Sequence, residues 1–291
     1  MFQGSIVALV TPMQEDGSLD DAAFRRLIEH HIEQGSDGLV IVGTTGESAT
    51  LSHQEHCQLL KTAVEQAKGR IPIIGGTGAN ATAEAIALSK CAKAAGVQAS
   101  LSVTPYYNKP TQEGLYQHFK AISTAVDLPI ILYNVPGRTG CDLLPETVAR
   151  LAKLPGIIGL KDATGDLMRV RLQRRLCGED FLLFSGNDDS ALELMALGGN
   201  GVISVTANVA PKAMHDMCQQ ALAGNIAAAD AIDVTLQGLH SSLFAEPNPI
   251  PVKWAVQQQG LLSGVIRLPL TPLSEVHHEA VKSAMQQAEK V

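Results

Sequence analysis

The sequence predicts a (β/α)8 TIM barrel with a C-terminal helical extension, and three observations carry that prediction. Eight short apolar, β-branched runs recur through the first two-thirds of the chain. Stretches of helical periodicity separate them, which implies parallel strands joined by crossover helices. Beyond about residue 224 no further strand is read, only helices. A doubly wound open sheet would place a glycine fingerprint after its first strand, where this chain has Leu9-Val10-Thr11-Pro12.

Taken in order, Ser5–Val10 reads as the first strand, and helix Leu19–Gln34 follows Ser18. Strand Gly38–Val42 leads to helix Gln54–Lys68 after Ser52, with Glu55 completing a capping box. Strand Ile71–Gly75 precedes helix Thr82–Ala95, and strand Ala99–Val103 precedes helix Glu113–Ala125. Strands Pro129–Tyr133 and Ile157–Lys161 are followed by helices Pro145–Leu154 and Leu167–Leu176. Phe181–Ser185, Ser190–Leu197, Gly201–Val205 and Pro211–Leu222 complete the strand–helix pairs. Helices Ala227–Leu239, Pro249–Gln258 and Ser274–Glu289 form the extension. The expected division is residues 1–223 as a barrel carrying the active site and 224–291 as the helical extension. No linker or charge block marks an independent second domain.

Of the 291 residues, 45% are hydrophobic and only 4% aromatic, so aliphatic side chains and 26 glycines must build the core. The net charge of −7, with basic residues scattered, argues against nucleic acid and anionic membranes as partners. An anionic substrate must then be met by individual lysines and arginines. The five cysteines are odd in number and widely spaced, with no C-x-x-C pair. They argue against a disulfide framework and for a reducing compartment. With no basic and apolar leader and no apolar run of membrane-spanning length, a soluble cytoplasmic protein is expected.

The residue that stands out is Lys161, at the end of the apolar run Gly156-Ile157-Ile158-Gly159-Leu160. Burying an ammonium there is costly, and desolvation favours the neutral amine that attacks carbonyls to form a Schiff base. Alone it reads equally as a strand-end lysine reaching for water. Its company is more informative, because parallel barrels keep their chemistry at the C-terminal ends of the strands. There the chain places Gly43-Thr44-Thr45-Gly46-Glu47-Ser48, Thr104-Pro105-Tyr106-Tyr107-Asn108-Lys109-Pro110 and Tyr133-Asn134-Val135-Pro136-Gly137-Arg138-Thr139-Gly140. Three of its four tyrosines fall in these loops. The threonine loop offers backbone N–H groups and hydroxyls to a carboxylate, or is an ordinary turn. Tyr133 can pass protons near Lys161, or be an amphipathic strand-end aromatic. Arg138 can grip a carboxylate bidentately, or be a surface arginine. Together they suit carbonyl chemistry on an anionic keto acid.

Other signals are weaker. Asp188-Asp189 reads as a helix start rather than a metal site. Gly75-Gly76-Thr77-Gly78 lacks the Lys-Ser/Thr that a P-loop requires. His53 and His56 stand three apart without an H-E-x-x-H pattern, and His277-His278 reads as a solvated helix face. No metal and no organic cofactor is expected.

In order and spacing, G-T-T-G-E, T-P-Y-Y-N-K-P, Y-N-V-P-G-R-T-G and G-L-K-D-A-T resemble the class I pyruvate-dependent aldolases. The likeness runs from Gly4 to about Pro272. G-T-T-G-E alone leaves N-acetylneuraminate lyases and sugar-acid aldolases open as the alternative. The G-R-T-G ending favours the branch that condenses pyruvate with L-aspartate-4-semialdehyde on the way to diaminopimelate and lysine. One departure is Asp162, where many relatives carry Glu. The resemblance implies that Lys161 is the Schiff-base lysine, that Tyr133 is the central proton relay, and that Thr44 links it to Tyr107. Tyr107 would come from a neighbouring subunit, in a homotetramer built from dimers. Thr45 and Thr44 would hold the pyruvate carboxylate, Arg138 the semialdehyde, and Gly186 and Ile203 would line the pocket. It also implies a site for L-lysine as feedback inhibitor at Ser48, Ala49, His53, His56, Asn80, Glu84 and Tyr106.

Overall fold

The computed structural model describes residues 2–289. Eight parallel strands close a barrel in chain order: β1 (Gly4–Ala8), β2 (Gly38–Ile41), β3 (Ile73–Gly76), β4 (Ala99–Val103), β5 (Ile130–Asn134), β6 (Ile157–Asp162), β7 (Leu182–Ser185) and β8 (Gly201–Ser204). Closure comes from β1 pairing with β8, Ile6 opposite Ile203. Helices α1 (Asp21–Glu33), α2 (His53–Ala67), α3 (Thr82–Ala95) and α4 (Gln112–Ala125) follow the first four strands. After β5 come a four-residue helix α5 (Pro136–Thr139) and α6 (Pro145–Leu151). The remaining crossovers are α7 (Met168–Cys177), α8 (Ala191–Ala196) and α9 (Pro211–Leu222). Past them lie α10 (Ile226–Ser242), α11 (Ile250–Gln258) and α12 (His278–Ala288), with no further strand among the described residues.

Strand alternation sorts the side chains. In β5, Ile131 and Tyr133 join the barrel interior with Ile6, Ile74 and Phe184, whereas Ile130 and Leu132 join the layer beneath the helices. Each fully buried aliphatic stabilises the fold by roughly 1.5–3 kcal/mol. The largest core layer also takes in Leu236, Trp254 and Val281, so the C-terminal helices share a core with β1 and α9.

Three local readings need correction. Helix α1 is capped by Asp20, whose carboxylate accepts from the Ala23 N–H at 2.9 Å, and not by Ser18, whose hydroxyl donates to Asp16. Helix α5 arises where a plain loop was read, because Pro136 presets the first turn and Gly140 at φ +73° ends it. Cys57 on α2 and Cys91 on α3 are disulfide-bonded across 5.9 Å between Cα atoms, contrary to the expectation from cysteine spacing. The capping box at Ser52 and Glu55 forms as read. Glycines at the end of β3 and two residues past it serve packing: a Cβ at Gly76 would meet the Val42 carbonyl oxygen, and one at Gly78 the Val103 amide.

Candidate active site

Lys161 lies near the C-terminal end of β6, 5% exposed and paired in register with Tyr133 of β5. Its Nζ sits 4.4 Å from the centroid of the Tyr133 ring. Burial pulls the ammonium down from its ordinary value to about 8; the Asp188 carboxylate opposes the fall and the Arg138 guanidinium adds to it. A fraction of neutral amine is therefore present near neutral pH. Burial pushes the Tyr133 phenol up to about 12, with Arg138 and a hydrogen bond from Thr44 pulling the other way, so it stays protonated. The structure thus brings Lys161, Tyr133, Thr44 and Arg138 together at one mouth of the barrel.

The threonine loop is tightly held. Val42 and Glu47, either side of it, both take left-handed φ of 55° and 59°, a strain that only surrounding contacts can sustain. Thr11 donates to the Gly46 carbonyl at 2.7 Å, and a Cβ at Gly46 would crowd Leu9 and Val42. Thr45 is buried and its hydroxyl accepts from the Asn248 side chain at 3.0 Å. Asn248 also accepts, through its carbonyl, from Arg138 at 3.0 Å. Beneath the loop, Glu47 and Lys253 form an ion pair whose side chains are each only 1% exposed. Glu47 accepts in addition from the Arg267 N–H at 3.1 Å.

Gly186 gives Lys161 its room: a Cβ there would stand 2.6 Å from Ala163 and 3.1 Å from the lysine Cε. Ile203 is fully buried on the interior face of β8. Tyr107 does not join the cluster. It is 88% exposed, at φ +76°, with its N–H bonded to the Thr139 carbonyl. Asp188 accepts from two backbone amides, and no cluster of three or more His, Cys, Asp or Glu side chains placed to hold a metal ion occurs among the described residues.

Of the seven residues expected to bind lysine, Ser48, Ala49, His53, Asn80, Glu84 and Tyr106 remain at least partly accessible. Glu84 and Asn80 both act on the Tyr106 phenol, which burial and the Glu84 charge push up. His56 differs. It is buried, its Nε2 donates to the Gly76 carbonyl at 2.8 Å, and burial lowers it to about 4, so it is neutral with Nδ1 unpartnered.

Sequence reasoning assigned nothing to Asn248, Lys253 or Arg267. The available signal was weak: Asn248 stands in Pro247-Asn248-Pro249, a stiff segment suited to fixing a side chain. A cavity of about 480 Å³ between α1, α9 and α12, touching His30, Lys212 and Met285, holds none of the expected site residues.

The sequence pattern of the dihydrodipicolinate synthetase family matches residues 1–288. The chain belongs to that family. It is therefore a lyase of the Schiff-base-forming class I aldolase type. A 4-hydroxy-tetrahydrodipicolinate synthase from Thiobacillus denitrificans is 62% identical over 99% of this chain and 98% of its own. A dihydrodipicolinate synthase from Acinetobacter baumannii, solved with pyruvate, is 54% identical with a TM-score of 0.98 over the whole of both chains. The enzyme from Cyanidioschyzon merolae, solved with lysine bound, is 39% identical with a TM-score of 0.96, covering 100% of this chain and 99% of that one.

Proposed function

We propose that this chain condenses pyruvate with L-aspartate-4-semialdehyde through a Schiff base at Lys161, the reaction for which its 4-hydroxy-tetrahydrodipicolinate synthase relatives are named, in diaminopimelate and lysine biosynthesis. The observation that carries the reading is Lys161 itself: a buried amine, lowered to about 8, against a protonated phenol and within the field of Arg138. Neutral Nζ attacks the keto carbon of pyruvate, and the carbinolamine loses water as Tyr133 delivers a proton to the departing hydroxyl. Tyr133, left as the phenolate, takes a proton from the methyl carbon to leave an enamine, whose carbon attacks the aldehyde of the second substrate, and the phenol returns that proton to the new alkoxide. Thr45 and Thr44 hold the pyruvate carboxylate. Arg138, tethered to Asn248, holds that of the semialdehyde. Gly186 and Ile203 line the pocket. No metal or cofactor enters the scheme.

Substrate choice tests this reading. Pyruvate with aspartate semialdehyde is expected to give turnover, and N-acetylmannosamine or a sugar aldehyde none; the reverse would favour the N-acetylneuraminate lyase or sugar-acid aldolase alternative. Arg138→Ala is expected to raise KM for the semialdehyde ~10-fold or more, the loss of a charge-assisted bidentate contact, with a much smaller change for pyruvate. Equal effects on both would reject the assignment.

Tyr107, exposed on one chain, supports a shared site in which it reaches Thr44 of a second copy, in a homotetramer built from dimers. Mixed chains carrying Tyr107→Phe or Lys161→Ala should regain part of the activity, because one hybrid site is intact. Proven heterodimers without recovery would count against sharing. The proposed compartment is the cytoplasm, checked by cell fractionation; among the described residues no helix is long and apolar enough to cross a membrane.

Lysine is the proposed feedback inhibitor, with Glu84 meeting an ammonium group, Asn80 and Tyr106 the carboxylate end, and Ser48, Ala49 and His53 completing the rim. His56 takes part through its free, neutral Nδ1 as an acceptor. Glu84→Thr is expected to relieve inhibition while leaving uninhibited turnover nearly unchanged, because it weakens effector affinity and not chemistry. Undiminished inhibition in that variant would place the effector elsewhere.

A further inference from the structure

We propose that Asp188 is a positioning residue that acts as counter-ion to the Lys161 iminium, holding one carboxylate oxygen free for that purpose. The inference rests on Lys161 forming the Schiff base. Asp188 follows β7 and is 3% exposed. Its Oδ2 accepts from the backbone N–H groups of Val205 at 2.9 Å and Thr206 at 3.1 Å, which fastens the carboxylate to the end of β8. Its Oδ1 is buried with no hydrogen-bond partner among the described residues. An oxygen left so is costly unless something charged or polar uses it in another state of the site.

The neighbouring group that changes its charge state is Lys161. In register Lys161 stands opposite Phe184 and Asp162 opposite Ser185, and the lysine side chain runs beside Gly186, two residues before Asp188. Nζ of Lys161 lies 4.4 Å from the Tyr133 ring centroid, and the charges that act on it are the Arg138 guanidinium and the Asp188 carboxylate, which forms no hydrogen bond with the amine in this state. Only the last is anionic. Before reaction only part of the lysine carries a charge, and the fraction that attacks the keto carbon is the neutral one. On loss of water from the carbinolamine, nitrogen becomes a cationic iminium at a buried position, with the like charge of Arg138 acting on it. A fixed carboxylate stabilises a cation at a nitrogen as buried as that of Lys161. The two amide bonds hold the Asp188 carboxylate in place beforehand.

Asp188→Asn separates the charge from the scaffold. Its amide oxygen can accept both backbone N–H groups, and its nitrogen occupies the position that has no partner. Borohydride trapping of the pyruvate adduct across a pH range gives the readout. Without the anion, Lys161 should lose its proton more readily, so the acid limb of adduct formation moves down by ~1 pH unit. The iminium should meanwhile be less stable, so half-maximal trapping should need ~10-fold more pyruvate. Opposite shifts of this kind are not produced by a general loosening of the fold. A folded variant with an unmoved acid limb and unchanged pyruvate dependence overturns the proposal. Should the asparagine variant not fold, Asp188→Ser, which removes the charge with a smaller polar side chain, is read against the same two criteria. If wild-type protein traps no adduct at Lys161, the Schiff-base reading itself has failed, an outcome distinct from failure at Asp188.

Discussion

Replacing Lys161 by alanine is expected to abolish the borohydride-trapped pyruvate adduct and to reduce turnover by ~10³-fold or more, the scale of loss when a covalent nucleophile is removed. The expectation follows from position before chemistry. Lys161 occupies an interior-facing place on β6, among Ile131, Tyr133, Phe184 and Ile203, where water cannot solvate an ammonium. Desolvation therefore brings the amine down to about 8, against the partial support of Asp188. Its neutral fraction grows as pH rises through 8 and levels off above, so adduct formation in the wild type should follow that rising limb. Arg138→Ala removes a nearby cation, favours the ammonium and should move the limb upward. Trapping at another lysine, a flat profile between pH 6 and 9, or full activity in Lys161→Ala would each refute the role.

The barrel was legible because its evidence is repetitive and local. Eight runs of β-branched residues separated by capped helical stretches admit few topologies, and parallel strands can be joined only by crossovers. The same rule points to the candidate site: Thr44, Tyr133, Arg138 and Lys161 stand at or just beyond strand ends. Where neighbouring residues compete for one task, the reading slipped. Ser18 and Asp20 both suit a helix cap, and only the path of the chain gives the task to Asp20, leaving Ser18 to bond Asp16. Cys57 and Cys91 are 34 residues apart, and their spacing does not announce that α2 and α3 lie side by side.

The contacts that brace the site were less legible, because they join distant parts of the chain. Asn248 reaches Thr45 across 203 residues, and Lys253 reaches Glu47 across 206. Neither partner carries a periodic or motif signal; their meaning appears only once α11 packs beneath the threonine loop. Tyr107 shows a different limit. Its neighbours in sequence are Tyr106 and Asn108, yet its side chain is 88% exposed, and the role proposed for it calls for a second copy.

Lys253→Met is expected to lower stability by about 3–5 kcal/mol, because it leaves the Glu47 carboxylate buried without its counter-ion. In a chain of this size that corresponds to a fall of roughly 5–15 °C in Tm. Both side chains are 1% exposed, so neither water nor salt can replace the lost partner. Burial already pulls the Lys253 ammonium down, and the Glu47 charge opposes that fall. The site should feel the loss. Glu47 holds a left-handed φ at the end of the loop that carries Thr44 and Thr45, and its carboxylate also takes the Arg267 N–H. With that anchor disturbed, KM for pyruvate should rise in the folded fraction. Pairing Lys253→Met with Glu47→Gln should recover most of the stability, since glutamine still accepts from Arg267 and no charge is left buried. An unchanged Tm in Lys253→Met, or a double variant no better than the single, would show that the pair is not what holds the loop.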